Sequence, residues 1–317
     1  MASHPSLSRR TAMIGGLCLC CLPMLARAGA GESRAAAVTE VQSGIFVRRG
    51  LDEDASPGNL DAIANLGFVV GRDAVAVIDP GGSLDDGRRL RLAIREVTHL
   101  PIRYVVMSHI HPDHIFGAAA FSEDVPVFIG HVSLPGQLVQ RGEFYRRGLQ
   151  RVLGGAPVDR PLIPTSLVEN RSEIDLGNRL LTLHAHRPAH TAGDLSVIDR
   201  QTGILLSGDL LFVGRVPVLD GDLKGWLAEL SLLDDAGITR VVPGHGPALV
   251  DWRDAAAVQR RYLKALLDDT RTAIAKGLSI EDAAGLVAQS ERENWLLFDA
   301  YHPRNVIEAY RRLEWER

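Results

Sequence analysis

The sequence predicts an α/β protein in which short buried strands come early and helices come late. Two apolar, β-branched runs at 66–70 and 74–78 flank Gly71-Arg72-Asp73, which is typical of a β-hairpin. A third apolar run at 102–107 ends directly at polar residues, as a short buried strand does. From residue 251 onward the composition is helical. Because 46% of residues are hydrophobic and 23% are charged, we expect a globular protein and not a disordered or fibrous one.

The same patterns predict the order of the other elements. Three polar segments, starting at Ser108, Ser207 and Pro243, each follow the end of a predicted strand. Loops held by a rigid scaffold commonly carry functional residues, so we expect a site there. Strands are predicted at 44–47, 66–70, 74–78, 102–107, 125–129, 179–186, 195–198, 204–206 and 239–242, and helices at 83–97, 132–153, 223–235, 251–276, 279–289 and 303–315, the last two beginning at Ser279 and Pro303.

Residues 1–28 have the layout of an export signal. Arg9-Arg10 precede an apolar run at 12–25, and Ala26-Arg27-Ala28 places small residues before a cleavage point. The Ser8-Arg9-Arg10 start resembles a twin-arginine signal. The run is shorter than the roughly 20 residues that a membrane-spanning helix needs. We therefore expect cleavage near Ala28 and a periplasmic mature protein that is not held in the membrane.

Removal of this signal changes the cysteine content and the charge. All three cysteines (Cys18, Cys20 and Cys21) lie within it, so the mature chain forms no disulfides and depends on its core. Without the three arginines of the signal, 32 basic and 39 acidic side chains remain, a formal charge of −7. Such a surface does not favour nucleic acid or anionic membranes.

The segment Ser108-His109-Ile110-His111-Pro112-Asp113-His114 contains four candidate metal ligands within six residues. Imidazole nitrogen and carboxylate oxygen suit zinc and related divalent ions. His109 and His111 can project the same way from extended backbone, whereas Asp113 and His114 point differently and can reach a second ion. Pro112 stiffens the turn between the two halves. A His-rich surface loop is the alternative interpretation, which four ligands together disfavour.

This motif resembles the signature of the metallo-β-lactamase-fold hydrolase superfamily. The family's remaining ligands appear in the expected order, as His190 in Ala189-His190-Thr191, Asp209 in Ser207-Gly208-Asp209 and His245 in Pro243-Gly244-His245-Gly246. Asp79 matches a structural aspartate that supports the site. The resemblance spans about residues 40–250. It implies a four-layered αββα sandwich over 38–250, with a C-terminal helical extension at 251–317 packed on the same domain.

The resemblance also implies which residue binds which of two zinc ions, iron or manganese being the alternatives. His109, His111 and His190 would bind the first ion, Asp113, His114 and His245 the second, and Asp209 would bridge them. Two divalent ions carry about four positive charges, whereas the carboxylates of Asp113 and Asp209 and a bridging hydroxide carry about three negative ones, and the excess of about one positive charge favours an anionic transition state. Many β-lactamases of this fold have Cys in place of Asp209, and the mature chain contains none. The ligand set is instead similar to that of glyoxalase II and lactonases.

The implied activity is hydrolysis of a small-molecule carbonyl substrate, either a thioester, a lactone, an ester or a β-lactam, by a metal-bridging hydroxide. Asp113 would orient the hydroxide as the catalytic residue. Two other hypotheses stay open. The protein could be a mononuclear iron persulfide dioxygenase, although His114 and His245 complete a second metal position. It could also be a non-catalytic metal-binding accessory protein for quinoprotein assembly.

The C-terminal sequence resembles a narrower group, the quinoprotein relay system zinc metallohydrolases. The resemblance rests on 294–299, 301–306 and the final Leu313-Glu314-Trp315-Glu316, together with the turn at 79–82. It implies a partner in a quinoprotein system. The segment is predicted to pack Trp295, Phe298, Tyr310 and Trp315 on the body of the protein, with a helical lid as the alternative.

The remaining histidines, two arginines and a tyrosine are weaker candidates for a role in the site. His184 and His186 share one face of a predicted strand and are more readily explained as structural than as residues that support the metal ligands or face the substrate. His99, His131 and His302 lie in no motif and are treated as structural. Arg187, Arg215 and Tyr145 are candidates for contact with a substrate anion.

Overall fold

Two mixed β-sheets form the centre of the protein. A computed structural model describes residues 36–316, so the predicted export signal lies outside the described residues. The first sheet consists, in spatial order, of β1 (Thr39–Gln42), β2 (Ile45–Arg48), β3 (Leu66–Val70), β4 (Val75–Ile78), β5 (Ile102–Met107), β6 (Val127–His131) and β7 (Ser166–Val168). Strands β1 to β4 are antiparallel neighbours, and β4 to β7 are parallel.

The second sheet is formed mainly by antiparallel strands from the second half of the chain. Its strands are β8 (Arg171–Asp175), β9 (Leu180–Ala185), β10 (Leu195–Asp199), β11 (Leu205–Leu206), β12 (Arg240–Val242) and β13 (Val250–Asp251). Strands that follow one another in the chain are neighbours in this sheet. Only β11 and β12 are parallel, so their carboxyl ends meet at one edge of the sheet.

Helices cover the outer faces of both sheets. They are α1 (Leu84–Val97), α2 (Pro112–Ile115), α3 (Leu134–Val152), α4 (Leu223–Asp235), α5 (Trp252–Ala275), α6 (Ile280–Leu286) and α7 (Phe298–Leu313), with 3₁₀ helices at Ala118–Asp124, Gly208–Leu210 and Gln289–Asn294. Within residues 36–316, none of these helices combines the length and apolarity needed to cross a membrane.

Alternating side chains of the strands build the layers. In β5, Val105 and Met107 pack with Leu90 and Ile94 of α1 on the outer face. Val106, between them in sequence, enters the core shared by the two sheets, which also contains residues from β9, β10 and β12. The outer face of the second sheet packs on α4, α5, α6 and α7. The predicted αββα sandwich with C-terminal helices is therefore confirmed.

Several boundaries differ from the sequence predictions. Strands β1, β7, β8 and β13 were not predicted, because they are two to five residues long and mostly lack a buried apolar face. The last helix begins at Phe298 and contains Pro303, so the prediction that it starts at Pro303 is wrong. Buried Phe298 anchors this extra turn on the body, and Pro303 removes only one backbone hydrogen bond from it.

A buried ion pair connects the second sheet to the first. The Arg179 guanidinium donates to both carboxylate oxygens of Asp199, at 3.0 and 2.9 Å, and its third nitrogen donates to the Val70 carbonyl of β3 at 3.1 Å. Both side chains are almost fully buried. Two parallel charge-assisted bonds of this kind hold a fixed geometry.

We predict that Asp199→Asn lowers the free energy of unfolding by about 3–5 kcal/mol, because it leaves the Arg179 charge buried without its counterion. Denaturant unfolding measures the loss. The matched control is Asp73→Asn, which removes an exposed pair with Arg72 and should leave stability unchanged. Equal stability of Asp199→Asn and the wild-type protein would contradict the prediction.

Candidate metal centre

The seven predicted ligands meet at the edge where several strands end. Strand β5 leads directly to His109, and the one-turn helix α2 carries Asp113 and His114. The second sheet supplies Asp209 after β11, His190 from the loop between β9 and β10, and His245 after β12. All three of the polar segments that follow strands therefore contribute, as predicted.

These ligands form two groups, and all but one of them are fully buried. Within each group the ligand atoms lie within 4.8 Å of one another. The first group is His109, His111, His190 and Asp209, and the second is Asp113, His114 and His245. The half-buried member is His111. The division of the histidines agrees with the two ions implied by the family resemblance.

Asp209 lies between the two groups. Its Oδ2 is 3.4 Å from His190 Nε2 and 3.7 Å from His109 Nε2, on the side of the first group. Its Oδ1 is 3.1 Å from His114 Nε2 and 3.4 Å from His245 Nε2, on the side of the second. One carboxylate thus presents a separate oxygen to each group.

The buried carboxylate of Asp79 orients two of the ligands. It accepts hydrogen bonds from the Ser108 backbone N–H and hydroxyl, both at 2.8 Å, and is 2.7 Å from His114 Nδ1. The Ser108 hydroxyl in turn lies 2.9 Å from His109 Nδ1. Because both Nδ1 atoms face acceptors, both Nε2 atoms are left with a free lone pair toward the site. These contacts agree with the supporting role predicted for Asp79.

Backbone carbonyls orient two more histidines. His190 Nδ1 donates to the Val218 carbonyl at 2.6 Å, and His245 Nδ1 donates to the Ile63 carbonyl at 3.0 Å. A carbonyl can only accept, so Nδ1 carries the proton and Nε2 presents its lone pair to the ligand group. In each of these two rings Nδ1 is therefore held by the backbone, and Nε2 is the nitrogen that faces the ligand group.

At the centre, His109 Nε2, His114 Nε2 and Asp209 Oδ1 are buried without a hydrogen bond of good geometry, and the last two face each other at 3.1 Å. Buried polar atoms are rarely left in this condition, because each costs free energy. A cation between them would satisfy all three. Imidazole nitrogens and carboxylate oxygens are also the donors that zinc and similar divalent ions prefer. The residues present therefore fit a divalent metal site.

The electrostatics of the two groups differ. Burial lowers the pKa of His109 well below its ordinary value and that of His190 to about 3, so both rings are neutral at pH 7. Burial alone would raise the pKa of Asp209, but His114 and His245 outweigh it and hold that pKa well below its ordinary value. The same two histidines likewise keep the pKa of Asp113 low.

Near the second group, the carboxylates raise the pKa of the histidines. Burial by itself would lower the pKa of His114 and of His245, but the neighbouring carboxylates, Asp209 first among them, outweigh it. Without a metal these rings attract protons. A divalent ion would take the place of those protons, since metal binding requires the neutral imidazole.

A cavity of about 270 Å³ opens onto the centre. Its floor includes His111, Asp113, Asp209 and His245. Apolar side chains form most of its walls, and the described C-terminal helix α7 contributes Tyr301 and Arg304. The remaining lining residues are Ala55, Asp61, Ile63, Pro112, Phe144, Tyr145, Gly148, Leu149, Val152, Phe212, Arg215 and Val218. The C-terminal segment thus both packs on the body and borders the cavity.

The other sequence candidates divide into those at the cavity and those away from it. Arg215 and Tyr145 line the cavity, whereas Arg187 is exposed and does not. His186 is structural, since it binds Glu229 at 2.8 Å and Ser196 at 2.7 Å.

Two histidines treated as structural make hydrogen bonds away from the metal centre, and one predicted packing contact is absent. His131 lies 2.7 Å from the Ser133 hydroxyl, and His302 bonds with Tyr262 and the Val287 carbonyl. The predicted packing of Trp315 is wrong, because the last turn ends short of the core and leaves this side chain 80% exposed.

Asp220 is not among the residues that the sequence predicts for the site. Its Oδ2 lies 3.1 Å from His111 Nε2, so it contacts a ligand of the first group from behind. The only local signal is an aspartate in a Leu-Asp-Gly-Asp turn, which is common in loops of every kind.

Gly244 allows Asp209 to take its position. A Cβ atom added at Gly244 would lie only 1.9 Å from Asp209 Oδ1 and 2.8 Å from the Gly208 backbone. We predict that Gly244→Ala displaces this carboxylate and lowers the amount of zinc that the protein retains after dialysis, as measured by elemental analysis. The matched control is Gly136→Ala, where a Cβ meets no atom within 4 Å. Wild-type zinc content in Gly244→Ala would contradict the prediction.

Comparison with known proteins finds related chains that each match more than half of this chain. The chain is 29% identical over 195 residues to the probable metallo-hydrolase YqgX of Bacillus subtilis, covering 58% of this chain and 85% of that one. It is 28% identical over 214 residues to the acyl-coenzyme A thioesterase MBLAC2 of Gallus gallus, covering 57% and 72%. It is 26% identical over 181 residues to the hydroxyacylglutathione hydrolase GloC of Haemophilus influenzae, covering 54% and 79%.

A solved structure and a family profile agree with these relatives. The metallo-beta-lactamase from Pontibacter korlensis superposes with a TM-score of 0.58 at 18% identity, covering 72% of this chain and 98% of that one, which shows the shared fold. The sequence profile of the Metallo-beta-lactamase superfamily matches residues 61–245. The relatives are named as hydrolases and support the prediction of a metal-dependent hydrolase. The chain belongs to the Metallo-beta-lactamase superfamily.

Proposed function

We propose that the protein is a two-metal zinc hydrolase that cleaves a carbonyl compound, with thioesters as the first candidate class. The observation that carries the proposal is the position of Asp209, whose two oxygens face two separate groups of ligands. A carboxylate so placed can bridge two ions. The first ion would be held by His109, His111 and His190, and the second by Asp113, His114 and His245.

When bound, two divalent ions supply activated water near neutral pH and polarise the carbonyl group under attack. The protein's own contribution is orientation and charge. Asp113 is ionised at neutral pH, since its pKa lies well below the ordinary value, and we assign it the role of orienting the attacking water by accepting a hydrogen bond. Two ionised carboxylates do not cancel two divalent ions, and the remaining positive charge favours an anionic transition state.

The cavity walls indicate the acyl part of the substrate. Phe144, Leu149 and Val152 of α3 form an apolar side, and Ile63 and Val218 extend it. These side chains suit an apolar acyl group lying next to the metal centre. Burial of such a group would contribute binding free energy of roughly 25 cal/mol for each Å² of apolar surface removed from water.

Two arginines indicate a negatively charged leaving group. Arg215 and Arg304 both line the cavity, and their guanidinium carbons lie 5.0 and 5.8 Å from the centroid of the Tyr301 ring. Arg215 is buried, donates one hydrogen bond to the Glu53 carbonyl and has an unpartnered Nε. Anionic thiol carriers would be attracted by this charge. The relatives named as an acyl-coenzyme A thioesterase and a hydroxyacylglutathione hydrolase support the same class.

Export and a quinoprotein partner stay predictions from the sequence. They rest on residues 1–28 and on the C-terminal motifs, respectively. We propose a periplasmic hydrolase on this basis, and fractionation of cells that express the full chain tests the location.

A substrate panel on the zinc-loaded protein tests the proposed activity. It contains acyl-coenzyme A and acylglutathione thioesters, an ester, a lactone and a β-lactam, with zinc quantified in the same sample. We expect about two zinc per chain and highest turnover on thioesters. Hydrolysis that survives complete metal removal would contradict the proposal. Oxygen uptake on glutathione persulfide with one iron would indicate a dioxygenase, and two bound metals without any turnover would indicate an accessory protein.

We predict that His111→Ala lowers both zinc content and kcat, because it removes one ligand of the first group. The expected loss in activity is at least about 100-fold, comparable to the removal of other transition-state electrostatics. The control is His99→Ala, which removes an exposed histidine outside every motif. Wild-type turnover in His111→Ala would show that the first group is not the catalytic site.

We also predict that metal binding stabilises the fold. Zinc binds the native arrangement of ligands, which unfolding destroys, so zinc at about 100 times its dissociation constant should add about 2.7 kcal/mol to the free energy of unfolding. The measurement compares thermal unfolding of chelator-treated protein with and without added zinc, and with magnesium as the control ion. An unchanged Tm on adding zinc would contradict the prediction.

A further inference from the structure

Asp220 connects the first ligand group to helix α3. It lies in the loop that precedes α4, and its Oδ2 is 3.1 Å from His111 Nε2. The same oxygen accepts hydrogen bonds from Arg141 Nη1 at 2.6 Å and from the Tyr145 hydroxyl at 3.0 Å. Three donors from two distant parts of the chain therefore converge on one carboxylate oxygen.

This contact sets the orientation of His111. The carboxylate accepts the Nε2 proton, which leaves the Nδ1 lone pair toward the site, 2.9 Å from His190 Nε2. The other four histidines of the two groups are oriented through Nδ1 and present Nε2. His111 is also the half-buried ligand, so it depends more than the others on a partner that holds its ring.

Arg141 and Tyr145 hold Asp220 in turn. They lie four residues apart on α3 and so occupy one face of the helix, with the Arg141 guanidinium carbon 5.0 Å from the centroid of the Tyr145 ring. The Tyr145 ring also meets the His111 ring edge-on, with centroids 5.7 Å apart. Helix α3 carries the apolar side of the cavity as well. The helix that borders the cavity therefore also fixes a ligand at the metal centre.

We propose that Asp220 is a positioning residue for His111, and that Arg141 and Tyr145 of α3 set the zinc affinity of the first ligand group through Asp220. The inference rests on the proposed metal site. Groups behind a metal-binding histidine fix its tautomer and ring orientation, and their loss commonly weakens metal binding by about 10- to 100-fold.

Zinc competition against a chromophoric chelator tests this role without any substrate. For Asp220→Asn we expect a loss of affinity of about 10- to 100-fold for one of the bound zinc ions, the one that the first ligand group would hold. For Arg141→Met we expect a loss in the same direction. The matched control is Arg147→Met on the same helix, because Arg147 pairs with Glu143 and not with Asp220. Unchanged zinc affinity in both Asp220→Asn and Arg141→Met would overturn the proposal.

Tyr145→Phe provides a milder test that keeps the fold and the cavity wall. It removes only the hydroxyl that donates to Asp220, so we expect a smaller loss of zinc affinity than in Asp220→Asn. If Tyr145 acts through Asp220, this loss disappears when both substitutions are combined, since contacting residues of one network are not additive. Full additivity in the double variant would show that Tyr145 acts independently and would overturn its part of the proposal.

Zinc binding and turnover of the wild-type chain distinguish failure of this inference from failure of the proposed function. If the wild-type chain binds no zinc, the metal site itself is refuted. If the wild-type chain binds zinc and hydrolyses a thioester while all three variants bind zinc equally well, only the positioning role is refuted. Thermal unfolding of the metal-free variants distinguishes a general loss of stability, which would lower Tm without a change in zinc affinity and would also count against the proposal.

Discussion

The crowding of lone pairs around Asp209 is the constraint on which the rest of this structure depends. Five imidazoles and two carboxylates meet in a buried space, and three of their atoms have no hydrogen bond of good geometry. Such an arrangement is unfavourable by itself, because buried acceptors lose their water without gaining donors. Rigid strand ends, the carboxylate of Asp79 and two backbone carbonyls hold the ligands there. A bound cation would offset this cost and would thereby link folding to metal binding.

The two sheets of the sandwich contribute differently to this centre. The first sheet supplies the segment at 109–114 and the supporting carboxylate of Asp79. Four of the seven candidate ligands therefore come from one stretch of six residues. The second sheet supplies single ligands from three separate loops. A common edge brings these together because β4 and β5 are parallel in one sheet and β11 and β12 in the other. The packing of the sheets is therefore what joins the two halves.

The helices that form the outer layers of the sandwich also contribute residues to the site and its cavity. Helix α3 forms the apolar side of the cavity and also contacts Asp220 behind His111. Helix α7 is anchored by Phe298 in the core around α5, and its next turn places Tyr301 and Arg304 at the cavity. Residues 61–245 match the superfamily profile, and α7 lies outside that match. If the proposed carbonyl compounds are the substrates, selectivity among them is expected to depend on these two helices, because the candidate metal ligands do not contact the distal part of a substrate.

The sequence by itself determined the order of the main strands and helices and the four candidate ligands at 109–114, because the strands are apolar runs with sharp ends and these ligands form one short motif directly after a strand. The αββα architecture and the candidate ligands His190, Asp209 and His245 followed from the resemblance of the sequence to a known family. Only the tertiary structure decided how Asp209 divides its oxygens, which ring nitrogen each histidine presents, and that Asp220 and α7 reach the site. The Ile63 carbonyl that orients His245 lies 182 residues away from it, and a backbone carbonyl has no signature in the sequence. Contacts of this kind follow from packing over long separations, and no local pattern of residues encodes them.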